Sequence, residues 1–173
     1  TSNIGLFNYQ FEKLDFTESY SGSRHISNAF FKLKNWTIEN RGSFLNSDAT
    51  LSSSKFIRNL TKTKYHFGKN WVGGNIQIED NQEKDKFTNQ FSALSQRFSE
   101  YGVFVGRGDS TKVFVELGYL RRKNDSLQNG VLQHVNNSQT YFLKSKLIQN
   151  KKTDLAVYAS YRNLDFTDAS KKK

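Results

Sequence analysis

"VFVGRGDSTKVFVEL", residues 103–117, decides the fold. Val103 and Val105 alternate with other residues on one side of Gly108-Asp109-Ser110, and Val113, Val115 and Leu117 alternate on the other. A period of two on both flanks of turn chemistry is the pattern of a β-hairpin, because successive side chains on a strand point to opposite faces. A three-residue loop sets Arg107 opposite Thr111, Val105 opposite Val113, Val103 opposite Val115 and Tyr101 opposite Leu117. Apolar groups then meet on one side, whereas a two-residue loop would set Val105 against Lys112. Arg107, Gly108 and Asp109 also spell the adhesion signal read by integrins, which makes them a candidate adhesion tip. Turn chemistry alone accounts for the same residues.

The same rhythm runs outward from this hairpin. Leu155, Val157, Ala159 and Tyr161 share one side of a stretch near the end of the chain, and Tyr141, Leu143 and Leu147 share another. Phe7, Tyr9 and Phe11 alternate near the beginning, and strand patterns cover 28–39, 43–52, 55–67 and 71–79. Asn40-Arg41-Gly42, Gly68-Lys69-Asn70, Asn124-Asp125-Ser126, Asn129-Gly130 and Asn150-Lys151-Lys152 carry turn chemistry between them. No helical crossover separates these strands, so the expected fold is all-β, an antiparallel meander of hairpins belonging to a barrel or an extended sheet. One segment departs from the pattern. Phe87, Phe91, Leu94, Phe98 and Tyr101 are spaced as a helical stripe, and one short helix near 87–100 stands beside a strand as the reading there.

Composition agrees. Proline is absent from all 173 residues, and Phe, Tyr and Trp make up 14 %, a mixture suited to long, pleated, half-buried surfaces. Cysteine is also absent, which excludes disulfides and thiolate metal sites. No run of apolar residues reaches the length of a membrane helix, which leaves barrel strands open. The chain reads as one β-rich domain, or as a segment of a larger protein.

The net charge of +10 raises anionic partners. The first fifty residues are neutral and the excess accrues evenly afterwards, the distribution of a solvated surface rather than of a nucleic-acid module. The strongest candidate for an anion-binding surface is Arg58, Lys62 and Lys64, with Tyr65 and Trp71 close in sequence. Cations beside aromatic plates suit an anionic glycan, or less readily a nucleic acid. His25, His66 and His134 have no metal-ligand spacing, no nucleophile or phosphate-loop motif occurs, and neither enzyme chemistry nor a cofactor is expected.

"GDSTKVFVELGYLRRKNDSLQ" (108–128) and "NSQTYFLKSKLIQNKKTDLAVYASYRNLDF" (137–166) resemble, in strand and turn phrasing, large uncharacterised β-rich proteins of the Bacteroidota cell envelope. The resemblance extends over residues 29–166. It implies an outer-membrane barrel or extended sheet acting as a non-enzymatic structural or interaction element, located at the outer membrane, periplasm or cell surface. Partners would then be other parts of the parent protein, envelope proteins or the membrane. Asp109-Ser110-Thr111 and Asp125-Ser126-Leu127 also resemble the short O-glycan acceptor sites of that phylum's exported proteins.

Overall fold

The computed structural model describes residues 3–17, 20–92, 95–109, 113–128, 130–149 and 154–166. They form nine strands: β1 (Ile4–Thr17), β2 (Tyr20–Leu33), β3 (Trp36–Ala49), β4 (Ser52–Phe67), β5 (Asn70–Asp85), β6 (Gln96–Gly108), β7 (Phe114–Gln128), β8 (Val131–Gln149) and β9 (Asp154–Phe166). Each pairs antiparallel with the next, in the order β1 to β9, as one open sheet that does not close into a barrel. The all-β antiparallel meander is therefore the fold, and the described residues contain no helix.

The expected helix is replaced by a folded loop and the start of β6. Phe87 is exposed, Phe98 is buried on one face of β6, and Tyr101 points to the other face, so the apparent stripe never assembles. Two polar side chains impose this outcome by offering the backbone local partners that compete with helical bonds. Ser95, fully buried, accepts the Glu83 N–H at 2.9 Å and donates to the Glu83 carbonyl at 3.0 Å. The Asp85 carboxylate accepts the N–H groups of Thr88 (2.7 Å) and Phe87 (2.9 Å) and the Thr88 hydroxyl (3.0 Å). Ala93 and Leu94 lie outside the described residues.

The Thr88 N–H and hydroxyl hold the Asp85 carboxyl below its ordinary range, against an opposing desolvation that outweighs the further help of the Phe87 N–H. A depressed carboxylate contributes loop order that is complete above its unfolded pKa and lost as pH falls through the folded one. On acidification the amide resonances of Phe87 and Thr88 should accordingly shift only below the usual aspartate range. An Asp85→Asn chain should show no such acid transition. Movement at the ordinary carboxylate pH would refute this role.

Other boundaries also differ from expectation. Asn40, Arg41 and Gly42 lie in the middle of β3, and the reversal occurs at Lys34-Asn35, where Lys34 takes φ +50. Gly42 marks close approach rather than a turn, since a Cβ there would meet the Ser27 hydroxyl at 2.5 Å. Asn124, Asp125 and Ser126 remain in β7, with a register irregularity between the first two. The turns at Gly68-Lys69 and Gly130 stand as expected, and both glycines have positive φ. Asn129 and Asn150-Lys151-Lys152 fall outside the described residues.

The register gives the two faces different chemistry. The face bearing Trp71 carries Glu39, Lys62, Lys64, Asn75, Glu116, Thr140 and Lys144, and holds the small core of Trp71, Phe104 and Phe142, with Phe114 and Leu120 packed against it. Glycines opposite these rings make the packing feasible. A Cβ on Gly106 would lie 2.2 Å from the Trp71 ring, one on Gly118 2.2 Å from the Phe142 ring, and one on Gly73 2.5 Å from Phe104. Each ring lies flat across a neighbouring strand where no side chain stands.

The opposite face is apolar and open. Phe7, Phe31, Trp36, Val72, Ile76, Tyr101, Val103, Val105, Leu117, Tyr141, Val157 and Tyr161 all project there and all are exposed, Phe7 at 70 % and Val103 at 61 %. This broad apolar surface is interrupted on β3 and β4 and is otherwise uncovered among the described residues.

Candidate functional site

Two β4 residues single out the polar face. Lys62 and Lys64 are two apart on one strand and therefore project together. Lys64 Nζ lies 5.4 Å from the Trp71 ring centroid and 5.5 Å from that of Phe104, while Lys62 Nζ lies 5.1 Å from Phe104. Trp71, paired with Gly106, reaches across β6 to β7, where its indole N–H donates to Glu116 Oε2 at 3.0 Å. Glu116 is only 5 % exposed and also faces Lys64 at 3.6 Å and Lys144 at 3.9 Å. Lys144 covers the Phe142 ring at 4.5 Å.

The result is a layer of three lysines around one carboxylate, floored by three aromatic rings. A carboxylate this deeply placed requires compensating charge and donors, and it finds both. Sequence reading missed Glu116 and Lys144. Their signal was parity, since Glu116 is register partner of both Gly106 and Lys144, but that register is not readable without the fold.

The expected anion-binding residues are divided by the structure. Arg58, Lys62, Lys64 and Trp71 share the polar face, with Arg58 drawn away from the lysines to Glu79 at 3.4 Å. Tyr65 projects from the apolar face, where its ring packs on Trp36 at 5.0 Å and Phe67 at 6.3 Å. Trp71 is 2 % exposed beneath Lys64. The set thus supplies cationic heads over covered rings, not an open plate on which a sugar or base stacks.

The hairpin that carries the candidate adhesion tip is paired differently from expectation. Arg107 faces Val115, Val105 faces Leu117, Val103 faces Tyr119 and Tyr101 faces Arg121. The register is shifted four residues from the three-residue loop, so every side chain keeps its face but the strands part at Gly108 and Phe114. Gly108 at φ +119 makes this wider reversal, and the Asp109 N–H closes it on the Val113 carbonyl at 2.8 Å. Arg107 and Asp109 are exposed; Ser110, Thr111 and Lys112 lie outside the described residues, and so does much of the first glycan-type triplet. In the second, Asp125 is buried within β7 and held by His134 at 3.0 Å.

On the apolar face a polar island interrupts β3 and β4. Asn40 Nδ2 donates to Thr61 Oγ1 at 2.8 Å and to Asn59 Oδ1 at 3.2 Å, and the Thr61 hydroxyl donates to Asn59 Oδ1 at 3.2 Å. These groups satisfy one another along the surface. The histidines are dispersed, with His25 on Tyr9, His66 beside Trp71 and His134 on Asp125. Among the described residues no group of three His, Asp or Glu could hold a metal ion. No protein family, curated protein or solved structure matches the chain.

Proposed function

We propose that this sheet is a non-enzymatic wall segment of a larger outer-membrane-associated cell-envelope protein, its apolar face turned to lipid and its polar face enclosed. The single observation that carries this reading is the segregation of the two faces. The side with charged groups is the side that buries its rings, while the side with the large apolar residues is open. That is the inverse of a water-soluble sheet, which hides its apolar face, and it is the alternation of a barrel strand in a membrane. The tyrosines at the border of the apolar face, Tyr101, Tyr119, Tyr141 and Tyr161, suit a lipid–water interface. Strands β2 to β8 are paired on both sides and carry no proline, as backbone groups in lipid require, and the outer edges of β1 and β9 would be paired by strands of the larger protein. Among the described residues no helix is long and apolar enough to cross a membrane, which says nothing of crossing by strands.

The cysteine-free sequence makes the test direct, since an introduced thiol is the chain's only one. In the complete protein in lipid vesicles, with any cysteine outside these 173 residues replaced, a Val103→Cys thiol on the apolar face should resist a water-soluble maleimide. An Arg41→Cys thiol on the polar face should react with it. Equal, rapid labelling of both thiols in the presence of lipid would end the membrane reading.

A further inference from the structure

The layer around Glu116 is not electrically neutral. Glu116 uses both of its oxygens: Oε2 accepts the Trp71 indole N–H and faces Lys64, and Oε1 faces Lys144. Lys62 stands over the same Phe104 ring as Lys64, so three ammonium groups share this part of the polar face with one bonded carboxylate. Glu39 is the register partner of Lys62, but no ion pair joins the two. Lys32, level with Lys64 through Thr37, and Lys146, two residues beyond Lys144, bring further positive charge to the same face. Further along that face the matching is one to one, Arg58 with Glu79 at 3.4 Å and Arg24 with Glu12 at 3.6 Å.

The rings beneath hold these cations in place against their mutual repulsion. Attraction to a ring face fixes each ammonium head, and Phe104 is itself seated across Gly73, where a side chain would collide with it. Cations already gathered and oriented cost an incoming anion little ordering, and the anion relieves the repulsion between them. The residue types narrow its chemistry. All three are lysines, compact charges with rotatable donors that suit a phosphate, while the arginine of β4, whose planar fork matches a carboxylate, is drawn away to Glu79. Against one carboxylate the three lysines leave two charges in surplus, which a dianion meets. Trp71 and Phe104 are both buried, so recognition falls on the charged group and not on a stacked ring.

We propose that Lys62 and Lys64 bind a phosphate group as its dianion above the Phe104 ring, while Lys144 offsets the Glu116 carboxylate beside it. The ligand is the free ion or a soluble phosphomonoester, since the site lies on the face opposite the apolar one and away from any lipid headgroup. It requires only that water reach the polar face, and so goes beyond the wall reading without depending on it.

Titration calorimetry of the complete protein in detergent, at constant ionic strength, tests the site with inorganic phosphate and separately with glycerol phosphate. Saturable binding of phosphate is expected, and none of acetate at the same concentration. Lys62→Gln and Lys64→Gln should each weaken it about tenfold, the loss of one charge-assisted hydrogen bond. Glu116→Gln keeps an acceptor for the Trp71 N–H while removing the competing charge, and should tighten binding by a similar factor. Arg58→Gln, on the same strand and face but matched to Glu79, should leave the affinity unchanged. Tighter binding of glycerol phosphate than of inorganic phosphate assigns the site to an ester, and equal or weaker binding to the free ion. The site is overturned by the absence of saturable binding of both, by acetate binding as tightly, or by Lys62→Gln weakening binding no more than Arg58→Gln. None of these results alters the thiol labelling expected at Val103 and Arg41, so the phosphate site and the wall reading fail separately.

Discussion

Replacing Gly106 by valine is expected to lower the unfolding free energy by about 2–4 kcal/mol, as overpacking adds to the loss of a buried hydrogen bond to charge. A Cβ at this position comes within 2.2 Å of the indole of Trp71, a ring almost fully buried and tethered through its N–H to Glu116. The ring has no free direction of retreat. Moving it outward releases the Glu116 carboxylate and lifts Lys64 from the ring face, which disturbs the whole cationic layer. The measurement is the urea midpoint in detergent, followed by Trp71 fluorescence in a Trp36→Phe background. Val105→Ala, one residue away and pointing to the other face, should change the midpoint little under the same conditions. An unaltered midpoint for Gly106→Val would mean that the ring and the glycine do not interlock.

The second large effect concerns lipid. Leu117→Arg places a guanidinium on the apolar face between Val105 and Leu143. At the bilayer midplane such a residue costs about 2–4 kcal/mol, falling towards zero near the interfaces. Insertion into vesicles should therefore drop by about 30-fold or more, because each 1.4 kcal/mol is a factor of about ten. The same substitution should leave detergent-solubilised stability nearly unchanged, since Leu117 is already exposed there. Arg121, two positions further from Leu117 than Tyr119 on the same face, is the natural counterpart at the border. Insertion of Leu117→Arg at the parental yield would place this face against something other than hydrocarbon.

Much of this architecture is legible in the alternation of side chains. Val115, Leu117 and Tyr119 on one side and Glu116 and Arg122 on the other announce β7, and the same parity separates Lys62 and Lys64 from Tyr65. Less legible is where each strand stops. Lys34-Asn35 reverses the chain without glycine or proline, whereas Gly42 serves a close inter-strand approach and imitates a turn. The helical spacing of Phe87, Phe91, Phe98 and Tyr101 is a coincidence of a loop and a strand. Ser95 and Asp85 override it through bonds to the backbone that no periodicity encodes. The partner of Val105 lies four residues from the expected one because several registers preserve the faces, and the observed register is the one that sets Trp71 over Gly106 and within reach of Glu116. The cationic layer and the rings beneath it draw on every strand from β4 to β8, so its membership depends on neighbours that sequence distance conceals.

The number of strands has a further consequence. In a meander each strand reverses the last, so the first and ninth of this sheet point in the same direction. Their outer edges therefore cannot be joined by the antiparallel bonding used everywhere else in the sheet. A seamless antiparallel cylinder containing it requires an odd complement of additional strands, entering beside one edge and leaving beside the other. Parity alone thus dictates how the remainder of such a cylinder is threaded.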